Sequence, residues 1–455
     1  MDTISLSGPR KPHPNNRLEI VYRRIAELKP DSRNPRHHNR RQIKQLAQSI
    51  TTFGFTVPAL VDRDGNVIAG HGRILACREL GWSEIPTIQI DDLSEAKRRA
   101  LMIADNRLAE NASWNERLLA EQLKDLSLAE LDFSIEVIGF EMGEIDLKIA
   151  AIEEEPAVED PTDCVPEPAS TPPVSKPGDL WLLGEHRVLC GSVLDPEAFQ
   201  SLMGEERAAM VFTDPPYNVP IDGHATGLGQ IHHRSFAMAT GEMSSPAFAI
   251  FLARSLRNQA AFCAAGALLC ICMDWRHMAE LLAAGREADA ELQNLCIWIK
   301  DNGGMGSLYR SQHELVFVFK TGGGPHRNNV QLGRFGRNRS NVWRYPGVNS
   351  FSRKTEEGNL LSLHPTVKPV ALVADAILDS TARGEIVLDG FLGSGTSLMA
   401  AERTGRCCRG IELDPAYVDT IIRRWQKLTL DTAQHAESGR IFDDLAQEAE
   451  AADVA

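Results

Sequence analysis

Residues 385–414 read EIVLDGFLGSGTSLMAAERTGRCCRGIELD. An apolar run ends in Asp389, a turn carries Gly393-Ser394-Gly395, and a helix is expected from Thr396. Glycine lets the backbone come close to a ligand, and a helix N-terminus presents unpaired N–H groups. The next short strand ends at Glu412, where nucleotide-binding folds place an acid that accepts hydrogen bonds from ribose hydroxyls. The G-x-x-x-x-G-K-[ST] pattern is absent, so an NTPase phosphate cradle is not expected. Asp389 at the strand tip would repel a pyrophosphate and suit a cationic amine.

Further strands are expected at Ala208–Thr213, Ala267–Met273, Asn294–Ile299, Glu314–Phe319, Glu385–Leu388 and Cys408–Glu412, alternating with helices. Several are apolar throughout, as in strands covered on both faces, which predicts a parallel, doubly wound α/β sheet. The first of them runs into Asp214-Pro215-Pro216-Tyr217. Two prolines cannot continue a ladder, so the chain must leave at the carboxyl end of the strand, where such sheets place ligands. Asp214 and the Pro215 carbonyl can accept from a planar exocyclic amine, and Tyr217 offers a flat face to a base. With the glycine turn, this suits a ligand bearing ribose and a cationic aminoacyl end, such as S-adenosylmethionine.

The unit from about 178 to 430 resembles the beta class of DNA amino-methyltransferases. VFTDPPYNV comes first, then HPTVKP at 364–369, LDGFLGSGTS at 388–397 and RGIELDPAY at 409–417, in the order of that class. The resemblance implies a circularly permuted, Rossmann-like sheet. It also implies a flipped base held by the catalytic group Asp214, Pro215, Pro216 and Tyr217. S-adenosylmethionine would lie across Asp389, Phe391, Gly393, Ser394, Gly395, Thr396, Glu412 and Asp414, with Lys368 near its carboxylate. The Gly-Asp that usually touches the adenine ring is here Gly191-Ser192, with Asp195 three positions on, which leaves Ser192 for that contact. The leading Asp favours adenine N6 as acceptor; the alternatives are cytosine N4, an RNA substrate, or a DNA-binding partition-like module without transfer.

Chemistry on a base in a duplex requires extrusion of the nucleotide and a grip on the backbone. Residues 326–350 hold Arg327, Arg334, Arg337, Arg339 and Arg344 with no acid, interleaved with Asn and Gln, and are expected to read double-stranded DNA. Target recognition is placed at about 300–355. Residues 218–245 lack a clear period and are expected to close over the flipped base. His224, His232 and His233 have no cysteine or acidic partner at ligand spacing, so no metal is expected.

Ahead of this unit, Ile43, Leu46, Ala47 and Ile50 form one helical face. Pro58–Asp62 and Asn66–Ala69 flank a turn, a helix runs Ile74 to Leu80, Ile85–Ile90 is a strand, and Ser94 caps a helix. LKPDSRNPR, QLAQSI and VIAGHGRILA resemble the ParB-type nuclease-like family, implying a small α+β ParB/sulfiredoxin-like domain. Its G-E-R-R-x-R-A signature reads here from Gly70 to Ala76, keeping Gly70, Arg73 and Ala76 and lacking the first and last arginines. Gly70 and Arg73 are thus the phosphate-binding candidates. The helix-turn-helix of partition proteins is not visible after Asp105.

The net charge of −14 would argue against nucleic acid, but −7 lies in 151–179 and −5 in 434–455, while 10–44 carry +8. The organisation expected is a ParB-like domain over 20–150, an acidic, proline-rich linker over 151–179, a methyltransferase over 180–433 and a frayed acidic tail over 434–455. With 43% hydrophobic residues the chain can build ordinary cores. Nine cysteines without a C-x-x-C pair fit reduced thiols. No apolar run reaches membrane-span length and the N-terminus lacks a signal-peptide core, so a cytoplasmic protein is expected, monomer or homodimer being left open.

Overall fold

A computed structural model describes residues 18–31, 33–91, 93–153, 172–218, 241–301, 303, 308–334, 337–346 and 368–454. Most of the closing loop expected over 218–245 (219–240), most of the linker (154–171) and part of the recognition region (347–355) lie outside the described residues. Contacts divide the chain into two units, Met1–Glu141 and Met142–Ala455.

The first unit contains β1 (Ile20–Arg24), α1 (Arg40–Phe53), β2 (Ala59–Val61), β3 (Val67–Ala69), α2 (His71–Glu79), β4 (Glu84–Gln89), α3 (Glu95–Glu110) and α4 (Glu116–Leu128). Its sheet runs β1-β4-β2-β3. Asn39 opens α1 by accepting from Gln42 N at 2.8 Å, and Gly54, at φ 79°, closes it. The face expected on α1 packs as read: Ala47 and Ile50 are buried, with Ile43 and Leu46 against the same core. Asp62 folds the turn between β2 and β3, its Oδ1 accepting from Asp64 N and Asn66 N at 2.9 and 2.8 Å.

The second unit opens with α5 (Met142–Glu153), so the boundary expected at 150 moves to 141/142. Met142, Ile145 and Ile149 of α5 are buried. Between them Asp146 meets the fully buried Arg406 end-on, through both Nη atoms at 3.1 and 2.9 Å, and Arg383 Nε at 3.0 Å. The linker also proves shorter than expected. Val174 N and Ser175 N donate to the buried carboxylate of Asp419, at 2.8 and 3.0 Å.

There follow β5 (Leu180–Leu183), β6 (His186–Cys190), α6 (Pro196–Met203), β7 (Ala208–Thr213), α7 (Ser245–Ala261), β8 (Cys263–Met273), α8 (Met278–Glu287), β9 (Ala290–Ile299), β10 (His313–Thr321), β11 (Val342–Arg344), α9 (Val370–Ser380), β12 (Ile386–Asp389), α10 (Thr396–Thr404), β13 (Cys407–Glu412), α11 (Pro415–Thr429), β14 (Gln434–His435) and α12 (Phe442–Val454). One mixed sheet takes the order β11-β9-β10-β8-β7-β12-β13-β6-β5-β14. Its centre, β8-β7-β12-β13-β6, is parallel as expected. The flanks are not, since β10 runs antiparallel to both β8 and β9, and β5 antiparallel to β6. Apolar clusters cover both faces, which is why β7, β8 and β12 read as nearly continuous hydrophobic runs.

The acidic tail is part of this fold. β14 pairs with β5, and Phe442 is 1% exposed, edge-on to Trp181 with centroids 5.3 Å apart. Asp443, Asp444 and Glu448 face outward while Phe442, Leu445 and Ala446 close the core. Replacing a fully buried phenylalanine by alanine leaves a cavity, so Phe442→Ala should cost about 3 kcal/mol or more. A drop in urea midpoint at unchanged m-value checks this, and deletion of 434–455 should be more damaging still.

Candidate active site

Four parallel strands bring the carboxyl-edge motifs together. β7 ends at Thr213 and leads into Asp214, β12 ends at Asp389, β13 ends at Glu412, and β6 leads to Gly191-Ser192. The antiparallel β10 begins at the same edge with His313-Glu314, beside the end of β9 and Lys300.

In the glycine turn, Gly395 caps α10 at φ 90°, and a Cβ there would meet Ile421 at 3.1 Å. Glu412 holds the turn, accepting from Gly393 N at 2.7 Å and from Asp414 N at 2.9 Å. Burial pushes its carboxyl up to about 7, against those two N–H donors. Asp389 accepts from Thr213 Oγ1 at 2.7 Å, Phe391 N at 3.0 Å and Ser397 Oγ at 2.6 Å. Burial pushes it up to about 6 despite these donors. Three donors of the fold therefore occupy the group read as an amine partner, and its first task is to shape the turn. Phe391 is half-buried, packing on Phe251 with centroids 5.9 Å apart. Ser394 is buried and its carbonyl accepts from Arg424 at 3.0 Å, Thr396 begins α10, and Asp414 caps α11 through Ala416 N at 2.9 Å. Ser192 Oγ accepts from Leu194 N at 3.2 Å, next to Gly191, whose N donates to the Glu412 carbonyl at 2.9 Å.

At Asp-Pro-Pro-Tyr the arrangement is tighter than the sequence suggested. Tyr217 Oη donates to Asp214 Oδ1 at 2.7 Å and lies 3.2 Å from Glu314 Oε2. Lys368, 4% exposed, puts Nζ 2.5 Å from Asp214 Oδ2 and 3.0 Å from Glu314 Oε2. The structure thus turns Lys368 to the Asp-Pro-Pro-Tyr carboxylate, where the resemblance had implied a ligand carboxylate. Lys300 completes the group by an ion pair with Glu314 Oε1. Burial raises the Asp214 carboxyl, Lys368 opposes that, and Glu314 adds to it. Glu314 is pushed up by burial, but Lys368 and Lys300 outweigh this and hold it at about 2. Asn218, at φ 53°, clips the start of the following segment to its end: Gly241 N and Met243 N donate to its Oδ1 at 3.1 and 3.2 Å, and its Nδ2 donates to Met243 O at 2.8 Å. Sequence reasoning missed Glu314, Lys300 and Asn218; the only signal was a lone acid opening an otherwise apolar strand.

The five arginines separate. Arg344 ends β11 level with Ile299, at the catalytic edge, and is exposed. Arg327 lies 3.7 Å from Glu385, just before β12, at the opposite edge. Asn329 fixes the following turn to that end of α9, donating to Leu378 O and Thr381 O at 2.8 Å each; Arg334 follows, exposed. Arg337 and Arg339 are internal struts, which corrects their reading as DNA contacts. Arg337 meets Asp379 at 2.7 Å and Asp375 at 3.2 Å, and Arg339 meets the same pair at 2.9 and 3.0 Å. Removing one side of a partly buried ion network leaves carboxylates uncompensated, so Arg339→Ala should cost about 2–3 kcal/mol of stability, read by urea denaturation.

In the first unit, Gly70 caps α2 in the left-handed region at φ 96°, with Arg73 Nη2 3.2 Å from where its Cβ would lie. Arg73 Nε and His71 Nε2 are buried without a hydrogen-bond partner among the described residues. Burial holds both groups below their usual range, with nearby His38 adding to the effect on His71.

Comparison with known proteins agrees with both halves. A DNA methylase model matches residues 208–423, a ParB N-terminal domain model 10–107, and a ParB-methyltransferase HTH domain model 117–177. The last corrects the expectation that no helix-turn-helix follows Asp105; it takes in α4, capped by Asn115, and α5. The ParB-like nuclease domain-containing protein YnaK of Escherichia coli is 40% identical over 85 residues, 19% of this chain and 98% of that protein. Type II methyltransferase M.ScaI of Streptomyces caespitosus is 34% identical over 89 residues, 20% of this chain and 29% of that protein. Type II methyltransferase M2.MboI of Moraxella bovis is 28% identical over 151 residues, 32% of this chain and 53% of that protein. No helix among the described residues is long and apolar enough to cross a membrane. The chain thus joins a ParB-like domain, a ParB-methyltransferase helix-turn-helix domain and, over residues 208–423, a DNA methylase domain.

Proposed function

We propose that the chain methylates the exocyclic N6 amine of adenine in double-stranded DNA, using S-adenosylmethionine. The observation that carries this is the meeting of the Asp214–Tyr217 pair with the Glu412-braced glycine turn on one sheet edge, joined through Thr213 and Asp389. The residues present fit that cofactor. Gly393 and Gly395 both take positive φ, and side chains at Gly395 and Gly410 would strike Ile421 and Leu392. Glu412 suits ribose hydroxyls, and two acids near the turn suit a cationic ligand better than a phosphate. Bound there, the cofactor supplies an electrophilic methyl group.

The chain's own groups hold the acceptor. Asp214, ionised, accepts one amine N–H and the Pro215 carbonyl the other, drawing the nitrogen lone pair out of conjugation. Tyr217 gives the base an aromatic face. Preorganised acceptors and proximity then supply most of the rate, since no strong general base is needed before attack. Arg344 at the catalytic edge grips the backbone, and the ParB-like unit adds sequence-independent contacts.

Asp214→Ala should abolish transfer while leaving cofactor binding measurable by calorimetry; an active variant would refute the assignment. Nucleoside analysis of modified DNA separates N6-methyladenine from N4-methylcytosine. Arg344→Ala should weaken DNA binding and lower the salt slope by about one.

Glu412 gives a pH dependence. Hydroxyl donors favour the ionised carboxylate, so cofactor affinity should weaken as pH falls through about 7. For folding the sign is opposite. A carboxyl raised in the folded state contributes stability that is lost as pH rises toward that value, and Glu412→Gln should flatten both curves.

A further inference from the structure

Asp214 is surrounded by more charge than orienting an amine requires. Facing it are Lys368 ahead of α9, Tyr217 on its own loop, Glu314 on β10, Asp389 on β12 and Cys272 on β8, with Lys300 behind Glu314. Cys272 is buried and its thiol is pushed well up, so it adds no charge. Asp389 is held by Thr213, Phe391 and Ser397 and pairs with neither lysine; the ion-paired core of Asp214, Glu314, Lys368 and Lys300 is balanced. Lys368 Nζ also stands 5.6 Å from the Tyr217 ring and 5.8 Å from the Trp298 ring, while Lys300 Nζ lies 4.6 Å from Trp298.

Lys368 occupies Asp214 Oδ2, one of the two acceptor oxygens that a target amine could use. A buried ammonium with a single carboxylate would stay there, because separating such a pair in a dry site is costly. Glu314 provides a second carboxylate for the same ammonium at 3.0 Å and a second acceptor near the Tyr217 hydroxyl at 3.2 Å. We propose that Glu314 is a positioning residue for methyl transfer: anchored by Lys300, it takes over Lys368 and Tyr217 as the amine arrives, releasing Asp214 as an ionised acceptor. This rests on the role of Asp214 proposed above. Glu314 touches neither the base nor the cofactor in this scheme, and no proton changes hands between the four groups.

The test is single-turnover methylation by the full chain across pH at saturating S-adenosylmethionine, with equilibrium binding of DNA and cofactor measured in parallel. Glu314→Gln should lower the plateau rate by about tenfold or more with both affinities within about twofold, because the loss falls on the chemical step. Its acid limb should move to lower pH, since the negative charge beside Asp214 is gone. Lys300→Gln should move the limb the other way, because Glu314 then keeps only Lys368 as a counter-charge, and Glu314→Asp should restore part of the rate. Acid limbs unchanged in both variants, with rate tracking only the folded fraction, would overturn the proposal. If Glu314→Gln does not fold, the direction of the limb in the half-buried Lys300→Gln decides alone. Retained transfer by Asp214→Asn would instead sink the reading of Asp214 itself.

Discussion

The hydrogen bond from Thr213 to Asp389 joins the two halves of the active site. It exists because β7 and β12, far apart in sequence, pair in parallel with Met210 opposite Val387 and Val211 opposite Leu388. That register sets both strand ends at one level, so one chain exit becomes the Asp-Pro-Pro-Tyr loop and the other the glycine turn. A slip of one residue would reverse which side chains face each apolar layer. The cores on the two sides of the sheet therefore fix the distance between the Asp-Pro-Pro-Tyr loop and the glycine turn as firmly as any residue within them.

Much of this was legible because β7, β8 and most of β12 are continuous apolar runs. β7 lies where Ala208–Thr213 was read, and the starts and ends of β12 and β13 shift by one residue at most. The elements missed carry weak patterns. β1 has four of five residues exposed, β14 is two residues long, and β5 and β6 are short runs joined by a tight turn. The tail misled because composition reports its outward face, whereas β14, Phe442, Leu445 and Ala446 tie it to the core.

The arginine segment failed for a different reason. Lying between two motifs in sequence says nothing about which edge of the sheet a residue reaches. β10 starts at the catalytic edge and runs away from it, so the chain leaving Thr321 is delivered to the far side. It returns along α9, where Arg337 and Arg339 are consumed by Asp375 and Asp379, and regains the catalytic edge only with β11. Glu314 was hidden by the same geometry, since its partners come from the end of β9, the loop after β7 and the approach to α9.

Asn218 has a consequence for how this edge is held. Its amide binds Gly241 and Met243 from a left-handed backbone position that asparagine adopts more readily than most residues. The stem is thereby closed directly after Tyr217, independently of what lies between. Loop closure depends only weakly on loop length once the ends are joined. The hold on the segment after Tyr217 therefore does not depend on the length of chain between the two clipped ends.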